Sequence, residues 1–120
     1  MAIPLDPLIW NWDRGKQGDT YLQSVITSDF GTAELARIKI EIKANGNTTS
    51  ALVLDSDDTG VTLNDTTAGA WSFTIDHIAA SDTATLDERY YAYDLVSTDA
   101  NGVVSTLFEG NWEVKPRIPA

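Results

Sequence analysis

The chain has no cysteine, a single histidine and a single methionine, and only 8 basic side chains against 18 acidic ones. Without cysteine, disulfide staples, thiol nucleophiles and Cys-ligated zinc are all excluded. One histidine, His77, leaves one imidazole for any nucleophilic triad or metal site. Four prolines and eight glycines in 120 residues exclude a collagen-like or low-complexity chain. No apolar run approaches the ~20 residues of a membrane span. The opening "MAIPLDPLIW" lacks a basic segment and is broken by Pro4, Asp6 and Pro7, so no secretory signal is expected. A formal net charge of −10 argues against nucleic acid as a partner, because phosphate would be repelled.

What is present is a β pattern. In "LARIKIEIKA" (35–44), Ala36, Ile38, Ile40 and Ile42 fall on one face, with Arg37, Lys39, Glu41 and Lys43 on the other. Strict alternation of this kind marks a half-buried strand. "WSFTID" repeats it, with Trp71, Phe73 and Ile75 inward. "DTYLQSVITS", "ALVLD" and "GVTL" supply further β-prone pieces. Clusters such as Asn45-Gly46-Asn47 and Thr67-Ala68-Gly69 break the pattern about every 8–15 residues, as in a sandwich or barrel. "HIAASDTATLDER" is the one place for a helical turn, capped by Ser81 or Asp82. The expectation is one all-β domain of about seven strands. A chain of this length buries roughly 60–70% of its unfolded surface, enough for one core.

The stretch "YYAYDLVSTDANGVVSTLFEGNWEV" (90–114) reads as a hairpin. With Asn101-Gly102 as a two-residue turn, both at positive φ, Tyr91 faces Trp112, Tyr93 faces Gly110 and Leu95 faces Phe108. That register places Tyr91, Tyr93, Phe108 and Trp112 toward the core, with Gly110 leaving room for a tyrosine ring. It also sets Asp94 opposite Glu109, a like-charge pair calling for a neighbouring cation. The rival is a type I turn over Asp99–Gly102 with glycine in a left-handed bulge, which slips the pairing by one residue.

No chemistry-bearing motif stands out. His77 follows a strand with no nucleophile elbow near it. "DSDDTG" places Asp55, Asp57 and Thr59 before Gly60 like the start of a calcium loop, but its twelfth position is Thr66 and not a bidentate glutamate. "RGKQGD" lacks the glycine spacing of a phosphate-binding loop. The residues predict a non-enzyme without metal or cofactor.

Two segments carry a resemblance. "WNWDRGKQGDTYLQSV" (10–25) resembles the amino-terminal opening of small bacteriophage virion proteins. Tyr91, Tyr93, Asp94, Leu95, Asp99, Gly102, Leu107, Gly110, Trp112 and Val114 fit their carboxy-terminal pattern. "ALVLDSDDTGVTL" and "GAWSFTI" are also similar, including to the Ig-like amino-terminal domain of phage baseplate upper proteins. The motifs are structural, and Lys16-Gln17 separates Arg14-Gly15 from Gly18-Asp19-Thr20 as an insertion would. The resemblance implies an Ig-like antiparallel β-sandwich, located in the virion. It would act as an assembly module, a homo-oligomer with itself and other virion proteins as partners, in a head, neck, tail or baseplate.

The expected layout is an N-terminal arm (1–18), a sandwich (19–115) and a C-terminal tail (116–120), both ends rich in proline. Ile9, Trp10 and Trp12 are candidate partner-binding residues. They would either close the chain's own sandwich or dock on a neighbour, since tryptophan suits both tasks. The alternative function is a carbohydrate- or cell-surface-binding module. It requires at least two exposed, roughly coplanar rings among Trp10, Trp12, Tyr90, Tyr91 and Trp112.

Overall fold

The computed structural model describes residues 8–12, 15–16, 18–21, 24–28, 33–44, 49–76, 78–86 and 90–115. His77 and the prolines of both chain ends lie outside them. The strands are β1 (Leu8–Ile9), β2 (Gly15–Lys16), β3 (Ser24–Ser28), β4 (Leu35–Ala44), β5 (Ser50–Asp55), β6 (Val61–Asp65), β7 (Trp71–Ile75), β8 (Tyr90–Asp99) and β9 (Val104–Lys115). Among the described residues one short helix, α1 (Ala80–Thr83), precedes β8.

The strands form two sheets. One runs β1-β9-β8-β4-β5, with β2 also on β9, and the other runs β3-β7-β6. Counting only β3 to β9, the seven principal strands alternate between the sheets as B-C-C′-D-E-F-G do in the immunoglobulin arrangement. They give a C′CFG layer over a BED layer. The chain is therefore an all-β, Ig-like sandwich. No helix among the described residues is long and apolar enough to cross a membrane.

One apolar cluster fills the space between the layers. Ile38, Ile40 and Ile42 from β4 meet Trp71, Phe73 and Ile75 from β7, with Tyr91, Tyr93, Leu95 and Trp112 from the hairpin. Each fully buried aliphatic or aromatic side chain contributes about 1.5–3 kcal/mol by leaving water. Phe108 is only partly buried and packs on the margin of this cluster, while its neighbour Leu107 is buried. Trp71 donates from Nε1 to the Ala33 carbonyl at 3.0 Å, so its polar edge is satisfied inside the core.

Register shifts explain where strict alternation fails in β4 and in the β8–β9 hairpin. The β4–β8 register shifts between Leu35 and Arg37. Leu35 is buried as a result, and Ala36, expected inward, is exposed. The β8–β9 register shifts between Leu95 and Val96. Tyr91↔Trp112, Tyr93↔Gly110 and Leu95↔Phe108 pair as the first register requires, but Val96↔Thr106, Ser97↔Ser105 and Thr98↔Val104 follow the rival one. Leu107 is the extra residue between them. The turn supplies the physical reason. Gly102 N–H donates to the Asp99 carbonyl at 2.9 Å, and of the turn residues 99–102 only Gly102 has positive φ, at 81°. Asn101 therefore does not take the left-handed conformation of a two-residue turn. The Asp99 carboxylate accepts from the Asn101 and Val103 amides at 2.9 and 3.0 Å, which fixes the longer connection.

The helix also differs from expectation. Its N-cap is Ala79, with no side-chain cap, and Ser81 and Asp82 lie inside it. It is tied down instead by Thr83, whose hydroxyl donates to the Asp19 carbonyl at 2.6 Å.

Candidate interaction surface

The described part of the segment expected as an arm is an edge of the larger sheet. β1 pairs parallel with β9 as Leu8↔Phe108 and Ile9↔Glu109, and β2 continues as Gly15↔Val114 and Lys16↔Lys115. Between them the Trp10 amide donates to the Glu109 carbonyl at 2.9 Å and the Trp12 amide to the Asn111 carbonyl at 3.0 Å. Parallel pairing of such short pieces needs anchors, and the sequence supplies aromatic ones.

Trp12, 8% exposed, stacks on Tyr93 with ring centroids 4.4 Å apart and meets Trp112 edge-on at 5.4 Å. Tyr21 also stacks with Trp12, at 6.0 Å, and meets Trp112 edge-on at 4.9 Å. Trp10 is half-buried, edge-on to Phe108 at 5.6 Å. The Tyr93 hydroxyl donates to the Trp10 carbonyl, and burial pushes its phenol above the usual tyrosine range. Such ring pairs add about 0.5–1.5 kcal/mol each beyond area burial. The indole N–H group of Trp112 is buried, with no hydrogen-bond partner among the described residues.

Gly110 belongs to this anchor in an unexpected way. A Cβ there would lie 2.1 Å from the Trp10 carbonyl oxygen and 2.7 Å from its carbon. The space is occupied by backbone of the N-terminal strand, not by a tyrosine ring. Gly15 serves β2 similarly, since a Cβ would meet the Trp112 indole at 2.9 Å.

Of the three candidate partner-binding residues, the structure places Trp12 in the molecule's own core and Trp10 half-buried against it. Ile9 is left 69% exposed on the sheet edge. A trans-docking role for Trp12 gives way to cis packing because its ring completes the stack on Tyr93. Among the other rings considered as a ligand platform, Tyr91 and Trp112 are buried and only Tyr90 is well exposed, at 56%. Tyr90 borders an open concavity of about 540 Å³, with Ala92, Asn11, Asn111 and Glu113 around it.

The outer face of the larger sheet is charged and ordered. Asp94 stands between Glu109 and Glu41 on its two neighbouring strands. Glu41 is held by Lys39 Nζ at 3.2 Å and Lys43 Nζ at 3.6 Å, and accepts from the Ser50 hydroxyl at 3.0 Å. The Lys39 and Ser50 hydrogen bonds keep its carboxyl below the usual glutamate range. In the loop that starts like a calcium site, Arg37 grips both oxygens of Asp55 from Nε (2.9 Å) and its terminal nitrogen. The guanidinium also lies 3.4 Å from Asp57. It holds the Asp55 carboxyl below the usual aspartate range. Sequence alternation placed Arg37 outward but gave no sign of this partner 18 residues away.

No family model matches this chain, and no curated protein matches it. Among solved structures, it is similar to murine CRIg at 12% identity, over 93% of this chain and 94% of that one, with a TM-score of 0.35.

Proposed function

We propose that this chain is a non-enzymatic structural protein of a bacteriophage particle. In this reading it is a rigid β-sandwich that joins copies of itself and other virion proteins in a symmetric assembly. The virion assignment rests on the resemblance of residues 10–25 and 91–114 to small virion proteins. The interaction role rests on one observation: Ile9 stands 69% exposed on an edge strand whose neighbours Trp10 and Trp12 are anchored inward. An isoleucine fixed on a preordered strand pays little further entropy on docking. Assembly therefore proceeds by docking of a preformed edge, not by exchange of an arm.

The test is the native mass of the full chain over a concentration series, for wild type and Ile9→Asp. An oligomer that loses mass in Ile9→Asp, with an unchanged β-sheet spectrum, supports the reading. A wild-type monomer at every concentration overturns it. Deleting residues 1–12 is the poorer test, because it also removes Trp12 from the core.

A further inference from the structure

We propose that Asn101 is a site of spontaneous covalent modification, deamidation through a cyclic imide, gated by opening of the hairpin turn that Asp99 holds closed. The inference goes beyond the assembly reading and does not rest on it.

The chain has two Asn-Gly pairs, and the described one, Asn101-Gly102, sits at the tip between β8 and β9. The other described asparagines, Asn11, Asn64 and Asn111, precede tryptophan or aspartate. The following residue matters because its backbone nitrogen is the attacking atom, and a side chain there hinders ring closure. Asn101 and Gly102 are both exposed, and even a Cβ built on Gly102 would meet nothing within 4 Å. Solvent base takes the Gly102 amide proton, and the nitrogen attacks Cγ of Asn101. The Cγ–Nδ2 bond breaks, and Nδ2 leaves as ammonia with a proton from water. Water then opens the five-membered imide on one side or the other. Breaking the new Cγ–N bond leaves aspartate. Breaking the original peptide C–N bond leaves isoaspartate, with the chain routed through the side chain. Nothing is oxidised or reduced, and water is the only co-reactant.

The folded turn holds this reaction back. Gly102 N–H donates to the Asp99 carbonyl at 2.9 Å, so the proton that base must remove is engaged. The Asp99 carboxylate accepts from the Asn101 and Val103 amides, and the Asp99 amide donates to the Val103 carbonyl at 3.0 Å. These bonds lie at the exposed end of a hairpin, where local opening needs no global unfolding. Deamidation and hydrogen exchange of the Gly102 amide therefore share one gate, since both begin by removing the same proton from the open turn. The products alter the tip. Either one places a new carboxylate two residues from Asp99. Isoaspartate also adds one backbone atom to the connection, beside Val103 and Val104, which are 56% and 65% exposed.

The test incubates the full chain at mildly alkaline pH, folded and in denaturant. Mass spectrometry follows the peptide carrying Asn101, with aspartate and isoaspartate resolved, and NMR measures exchange of the Gly102 amide. Folded wild type should deamidate at Asn101 at least about tenfold more slowly than the denatured chain, matching the protection of the Gly102 amide within about threefold. That comparison requires no variant to fold. Asp99→Ala, which lacks two of the turn's bonds, should speed both processes on the order of tenfold, with circular dichroism checking its fold. Three results would each overturn the proposal. They are no deamidation of Asn101 in the folded chain, a rate unchanged by denaturant, and faster Gly102 exchange in Asp99→Ala without a matching rise in deamidation.

Discussion

Gly110 carries a side-chain-free contact that the whole N-terminal edge depends on. Its φ is not in the left-handed region, so the requirement is space and not conformation. Gly110→Ala must push back the Trp10 backbone, and overpacking against backbone costs about 1–3 kcal/mol. Chemical denaturation should show that loss, together with a change in tryptophan fluorescence. Trp12→Ala removes the ring stacked on Tyr93 and should cost about 3–5 kcal/mol, as for other buried tryptophans. Asp55 is a titration probe. Its folded carboxyl lies below the unfolded value of about 4, so its contribution is present above that pH and lost as pH falls through the folded value. The denaturation midpoint should therefore drop as the pH falls below about 4. Asp55→Asn should flatten that dependence and cost about 1 kcal/mol at neutral pH, modest because the Arg37 side chain is 40% exposed to screening solvent.

At the scale of elements, the β8–β9 hairpin shows what alternation can and cannot specify. The inward places of Tyr91, Tyr93, Leu95 and Trp112 were legible, because period two is unambiguous along a regular strand. The slip at Leu107 was not, because a bulge is set jointly by turn geometry and cross-strand packing. Both registers weighed from the sequence occur in one hairpin, on either side of that bulge. The turn is the point to perturb. Asp99→Ala removes the acceptor of two amides and should cost about 1–2 kcal/mol, read as a lower denaturation midpoint. Gly102→Ala forces a side chain onto a φ of 81° and should cost about 1 kcal/mol, although the space around it is open. β4 and β7 were legible in full apart from Ala36, which the bulge at Leu35/Arg37 turns outward.

At the scale of the molecule, the sandwich layering follows from strands that alternate and turns that recur, and both could be read directly. The N-terminal edge could not. β1 and β2 are two residues each, too short for a period, and their partner β9 lies about 100 residues away along the chain. The tryptophans signalled that something is anchored there without showing where. The structure locates the anchor in cis and leaves Ile9 exposed at the edge of the sheet. The most direct test of this account is amide hydrogen exchange at Trp10 and Trp12 in a solution dilute enough to hold only monomer. Protection of both amides, through their bonds to the Glu109 and Asn111 carbonyls, is the predicted result. Exchange at the rate of an unstructured chain, with β4 and β8 still protected, would contradict it and restore the free, exchangeable arm.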